Sequence, residues 1–258
     1  MWHQLINWMA NWMATLLFAP FFFILLILFH PLHKASQYIS LEARENVLLW
    51  MNQFFVWGLR WFAGLRLQVR GQEHIAKLNT PQFAGRSVIL ISNHQSMYDI
   101  SLILTVLKRG RIRFVAKREL GRWIPSISIA LRNMEAALID RDNRSQAVRV
   151  IKQFGVRAAN LQRDVCIYPE GTRSRNGELL PFKALGVLTL LKTMPDSVVM
   201  PIAIKGSWRI LRYGFWPVTY GARVDFVALE PLDPRELGHD QIVETAFTNI
   251  KEAFLSLK

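Results

Sequence analysis

The chain has 258 residues, 51% of them apolar, enough for one large domain or a domain with an appendage around a core of ordinary size. Its single cysteine excludes a disulfide framework, and Cys166, inside the apolar run Val165 to Tyr168, reads as core rather than nucleophile. A formal net charge of +13 asks for an anionic partner, while the lack of zinc-finger spacing or an RNA-binding aromatic signature sets nucleic acid aside.

Placement of the tryptophans points to membrane lipids as that partner. Six of the nine (Trp2, Trp8, Trp12, Trp50, Trp57, Trp61) fall in the first 61 residues, beside the most apolar stretch. Met1 to His33 carries no formally charged side chain, and Trp12 to Phe29 has the length of a membrane-spanning helix, with Pro20 as an expected kink. A cleaved signal is not expected, because no basic segment precedes the apolar run. Basic residues begin only at Lys34, Arg44 and Arg60, which places the bulk of the chain on the cytoplasmic side of a membrane (the inner membrane, if the cell is bacterial). A buried core helix or a re-entrant hairpin would give the same composition. Ser40 to Gly64 then reads as an amphipathic, interfacial helix, with Trp50, Phe54, Trp57 and Trp61 at helical spacing and Arg60 and Arg66 near lipid headgroups. Residues 1–64 thus form a membrane-associating unit, spanning or re-entrant, and 65–258 a second domain.

From Leu65 short apolar runs alternate with helical patterns. Strands are expected at Leu65 to Arg70, Ser87 to Ser92, Arg111 to Ala116, Glu135 to Ile139, Val165 to Tyr168, Val198 to Ile204 and Arg223 to Leu229. Helices fit Ile100 to Lys108, Ser145 to Gln162, Ala184 to Lys192 and Asp240 to Leu257. This alternation predicts an α/β fold: a central mixed, largely parallel sheet of about seven strands, flanked by helices.

Charged residues collect where these strands end. His94 follows the Ser87 to Ser92 run, and Asp99 stands five residues later, in the first turn of the next helix. A tight turn there folds the carboxylate onto the imidazole, giving a poised general base. The plainer alternative is a capping box, Ser96-x-x-Asp99, in which Asp99 satisfies free helix amides. After Val165 to Tyr168 comes a loop with Glu170, Gly171, Thr172, Arg173 and Ser174. Its glycine permits close backbone approach, its hydroxyls can donate, and the planar fork of Arg173 suits phosphate. By itself it equally fits a solvated turn with Glu170 paired to an arginine. Lys117 and Arg141 follow two further strands and add cations. P-loop spacing, a dinucleotide glycine fingerprint, a Gly-x-Ser-x-Gly elbow and His-Glu-x-x-His are all missing.

Taken in order, these segments resemble the lysophosphatidic acid acyltransferase (1-acylglycerol-3-phosphate O-acyltransferase) family. Asn93-His94-x-x-x-x-Asp99 matches its first motif and Ile139-Asp140-Arg141 the core of its second. Tyr168-Pro169-Glu170-Gly171-Thr172-Arg173-Ser174 resembles the third, and Val199 to Gly206 the fourth. Glu135 replaces a usual glycine, Ser128 another, Tyr168 a usual phenylalanine, and Phe182 to Gly186 has one residue more than the common Phe-Lys-x-Gly. The resemblance implies acyl transfer from a thioester, acyl-CoA or acylated acyl carrier protein, to the sn-2 hydroxyl of lysophosphatidic acid, giving phosphatidic acid. His94 would be the base and Asp99 its orienting acid. Arg173, with Glu170, Gly171 and Thr172, would hold the glycerol phosphate, helped by Lys117 and Arg141. It implies no metal, no cofactor and no covalent enzyme intermediate. Another lysophospholipid or an aminolipid as acceptor, or a non-catalytic membrane-binding protein of the same fold, remain the rival expectations.

Overall fold

The computed structural model describes residues 2–122, 124–140 and 143–257. With no charge to favour solvent, the N-terminal stretch forms one helix, α1 (Trp2–Ser36), which continues through Pro20 and Pro31 and is longer than expected at both ends. Ser40 then caps α2 (Leu41–Phe62) by accepting the amide of Ala43. The two helices lie against each other, and α1 is also fastened to the rest of the chain along its length. Tyr220 N donates to Asn11 Oδ1 and Val218 N to Thr15 Oγ1, both at 2.8 Å. Further along, the Phe18 ring meets Tyr98, Ser126 N donates to His30 Nδ1, and Asn133 Nδ2 to the carbonyl of His33.

The expected seven strands are all present: β1 (Arg66–Arg70), β2 (Val88–Ser92), β3 (Ile112–Lys117), β4 (Ala137–Ile139), β5 (Asp164–Ile167), β6 (Val198–Lys205) and β7 (Arg223–Ala228). They form one sheet in the order β1-β7-β6-β2-β5-β3-β4, parallel throughout except between β6 and β7. The expected helices appear as α4 (Asp99–Leu107), α6 (Arg144–Asn160), α7 (Ala184–Thr193) and α8 (His239–Ser256). Two short ones, α3 (Gln72–Lys77) and α5 (Ile127–Asn133), fall where no periodic pattern marks them. Glu135, expected to open a strand, has φ +51 and sits in a turn, so β4 begins two residues later. That left-handed backbone is one glycine adopts freely, which accounts for the glycine usual there. Ser128, at another usual glycine, is buried and uses its hydroxyl to hold Ile124 N and the carbonyl of Leu120.

Alternate side chains of each strand serve opposite layers. Val88 and Leu90 of β2 join α1, α2 and α4 in one cluster, while Ile89 and Ile91 join α6, α7 and α8 in the other. The central strand is thus covered on both faces, as a parallel sheet requires.

At the amino ends of the strands the fully buried Asp164 carboxylate ties three segments together. It accepts from Val88 N at 2.9 Å, Arg109 Nε at 2.7 Å and Arg111 Nε at 3.0 Å. Replacing it leaves two arginines facing each other without a counter-charge. Asp164→Ala is expected to destabilise the protein by roughly 3 to 5 kcal/mol, read as a large drop in the thermal unfolding midpoint in detergent.

Candidate active site

Parallel strands end on the same edge, so the sheet gathers residues that lie far apart in sequence. His94 follows β2, Lys117 ends β3, Asp140 follows β4, Tyr168 follows β5 and Gly206 follows β6. Because β2 and β5 are neighbours, the loop after β5 lands on His94.

The His94 imidazole donates through Nδ1 to Asp99 Oδ2 at 2.8 Å. That same oxygen accepts the amides of Gln95 at 2.7 Å and Ser96 at 2.8 Å. Asp99 thus folds onto the imidazole and closes the turn between β2 and α4, but the amides it holds precede the helix and the Ser96 hydroxyl accepts Tyr98 N rather than Asp99 N, so the expected capping box does not form. With no exposed surface of its own, the carboxylate relies on these three N–H donors. Pairing at Nδ1 leaves the Nε2 lone pair without a protein partner among the described residues, open to an incoming hydroxyl.

The segment from Tyr168 to Ser174 straps this histidine in place. The Tyr168 ring stacks on the imidazole, centroids 4.0 Å apart and planes within 16°. His94 N donates to Glu170 Oε1 at 2.7 Å, and Ser174 N donates to the His94 carbonyl at 2.8 Å. The other Glu170 oxygen accepts from Leu180 N at 3.0 Å. The buried carboxylate is thus committed to backbone amides and faces inward, not toward an anionic ligand. Gly171, at φ +73, turns the chain so that Thr172 is exposed and Arg173 half-buried between the two anchors.

Arg173 has no carboxylate partner among the described residues. Burial and the adjacent Arg175 disfavour its charge, and Asp99 opposes them. A half-buried guanidinium without a counter-ion is an anion site in waiting. Lys117 is more peripheral, half-exposed and 3.4 Å from Glu119. Arg141 lies outside the described residues. No cluster of His, Cys, Asp or Glu able to hold a metal occurs among the described residues. Cys166 is fully enclosed, and burial pushes its thiol up, away from nucleophile chemistry.

Two amide side chains escaped the sequence reading as functional parts. Asn93 donates to the Ile204 carbonyl and accepts its N–H, both at 2.7 Å, extending the β2–β6 ladder by one mock peptide. Gln95 accepts Gly206 N at 2.8 Å and reaches Gly177 O at 3.2 Å. Asn93 opens the first motif without a role being assigned to it, and only adjacency to His94 marks Gln95.

A family model described as Acyltransferase matches residues 66–205, more than half of the chain, and contains the histidine, the aspartate and the strap. The chain belongs to the acyltransferase family. Among curated family members it is similar to human 1-acyl-sn-glycerol-3-phosphate acyltransferase beta, 34% identical over 130 residues, 50% of this chain and 44% of that one. The coconut (Cocos nucifera) 1-acyl-sn-glycerol-3-phosphate acyltransferase is 32% identical over 154 residues, 58% of this chain and 46% of that one. The matches therefore take in under half the length of either relative. The fold is also that of a Thermotoga maritima 1-acyl-sn-glycerophosphate (LPA) acyltransferase crystal structure, TM-score 0.76 at 23% identity, covering 97% of this chain and 98% of that one.

Glu170 gives this family site a measurable titration. Burial raises its pKa from 4.5 to about 7, against the lowering effect of the His94 and Leu180 amides. A carboxyl raised on folding stabilises fully below its unfolded pKa, and that contribution is lost as pH climbs through the folded value. Wild-type thermal stability should therefore decline from pH 4.5 to 7, by up to roughly 3 kcal/mol, relative to Glu170→Gln followed over the same range.

Proposed function

We propose that this protein transfers a fatty acyl group from a thioester, acyl-CoA or acylated acyl carrier protein, to the sn-2 hydroxyl of 1-acylglycerol-3-phosphate, forming phosphatidic acid. The observation that carries this reading is the Arg173 guanidinium, without a carboxylate partner among the described residues, on the same strap that fixes a carboxylate-oriented base. Such a pair suits a substrate with a phosphate at one end and a hydroxyl to be deprotonated nearby.

The chemistry runs through His94. Its Nε2 takes the hydroxyl proton as the oxygen attacks the thioester carbonyl, and Asp99 stabilises the imidazolium. Collapse of the tetrahedral adduct breaks the carbon–sulfur bond. The imidazolium returns its proton to the departing thiolate, so the base is regenerated and no acyl-enzyme forms. Arg173 binds the phosphate, Thr172 offers its hydroxyl beside it, and Gly171 lets the backbone come close. Glu170 acts at one remove, fixing the backbone of His94, Lys117 adds positive field at the rim, and Arg141 is proposed as a further cation for the phosphate.

Membrane lipids are the proposed medium. α1 is the one described helix long and apolar enough to cross a membrane. Its ties to the α/β body run from Asn11 to His33, about 33 Å at 1.5 Å per residue, as long as a hydrocarbon core of about 30 Å is thick. A helix set across the bilayer would pull the flank of the sheet domain through it. A lengthwise, re-entrant placement in one leaflet avoids that and leaves the bare face of α1 on lipid. Residues 1–64 are then the anchor, and 65–258 the catalytic domain on the cytoplasmic side.

Acyl transfer to lysophosphatidic acid by the purified protein in detergent, with labelled acyl-CoA or acyl carrier protein, tests the proposal. His94→Ala should lower kcat by about a thousandfold with vesicle binding intact. Arg173→Ala should chiefly raise the KM for the lysolipid, by roughly tenfold or more, with Arg173→Lys in between. Turnover on a different lysolipid alone would move the substrate, and silence of the folded protein with every acceptor and both donors would sink the enzyme reading.

A further inference from the structure

The N-terminal helices do not hold all of the exposed aromatic surface. Directly after Gly206, the segment from Ser207 to Tyr220 presents Tyr213, Phe215, Trp216 and Tyr220 with 55%, 65%, 36% and 56% of their surfaces exposed. Two cations accompany these rings. The guanidinium carbons of Arg209 and Arg212 lie 5.8 and 5.7 Å from the Trp208 ring, and Arg212 also covers Tyr213 at 5.7 Å. Exposed aromatics interleaved with arginine are the composition of a headgroup layer, where a ring meets acyl chains and a guanidinium meets phosphate.

The loop cannot sit apart from the anchor. Its backbone is bound to α1 through Asn11 and Thr15, and Gly221 N donates to the Ala63 carbonyl just beyond α2. Trp216 also meets the ring of Phe23, itself half-exposed on α1, at 6.3 Å. The aromatic patch is therefore continuous with the bare face of α1, and the protein's excess positive charge suits anionic lipid.

We propose that the loop from Ser207 to Tyr220 is a third membrane contact, with its rings at the acyl boundary and Arg209 and Arg212 on the phosphates of anionic lipids. This rests on the lipid-bound placement of α1 proposed above. Its role follows from geometry. A helix lying in a leaflet is free to roll about its own axis, and an off-axis contact stops the roll. Because the loop springs from Gly206, whose amide is held by Gln95 next to His94, that contact also sets which edge of the sheet meets the lipid.

The full-length protein, labelled with an environment-sensitive dye at Phe215→Cys and reconstituted into phosphatidylcholine–phosphatidylglycerol vesicles, tests this with a headgroup nitroxide lipid as quencher. Native Cys166 has no exposed surface to label. Leu28→Cys, on the bare face of α1, and Glu236→Cys, exposed beyond β7, serve as references. Quenching at 215 within a factor of about two of that at 28, with 236 unquenched, is expected. Quenching at 28 but not at 215 overturns the third contact and leaves the anchor standing, whereas no quenching at either site overturns both. Omitting phosphatidylglycerol, or Arg209→Gln with Arg212→Gln, should reduce the signal at 215; an unchanged signal removes the anionic part of the proposal.

Discussion

One oxygen of a buried carboxylate organises the edge of the sheet that carries His94. Asp99 Oδ2 takes N–H groups from the His94 ring and from the Gln95 and Ser96 backbones. The turn between β2 and α4 can close only around that oxygen, and the turn in turn fixes the imidazole. A change at Asp99 would therefore unsettle a helix start and a base together. The aspartate therefore acts on the turn ahead of the helix and not as a cap on the amides of α4 itself.

Around that turn the molecule repeats a single device, the use of side chains as substitute backbone. Asn93 continues the β2–β6 ladder, Gln95 bridges the loop at Gly177 to Gly206 at the end of β6, and Glu170 receives two loop amides. Loops at the carboxyl ends of parallel strands lack ladder partners, and buried amides without partners are costly. These side chains satisfy those amides and make the loops as rigid as the sheet beneath them. Arg173, held between two such fixed points, carries its charge at a set distance from the histidine.

Much of this was legible in the sequence. The strands are short, β-branched and bounded by polar turns, so all seven could be read, with ends off by a residue or two. His94 and Asp99 could be paired because five residues of strand-to-helix turn bring them together. What stayed hidden depends on direction rather than identity. Sequence places Glu170 in an arginine-bearing loop but does not say that its oxygens point inward. Tyr168 reads as the end of a strand, and its stack on His94 exists only because β5 lies beside β2. α3 and α5 are too short for periodicity to declare them. The rings of the aromatic loop after Gly206 follow no helical or strand period, so no sequence pattern marks them.

The bonds from Asn11 and Thr15 to the 218–220 segment also bear on the order of assembly. These partners are separated by 209 and 203 residues of chain. At synthesis rates of about 5 to 20 residues per second, α1 waits roughly 10 to 40 seconds before they exist. Thr15 can spend that interval bonded to the carbonyl of Asn11 within its own helix. That bond uses the Thr15 hydroxyl as donor, so until the 218–220 segment arrives both Thr15 Oγ1 and Asn11 Oδ1 are open acceptors on this apolar helix. Closing them joins α1 to a segment made 203 to 209 residues later, so the helix is synthesised well before its packing is complete.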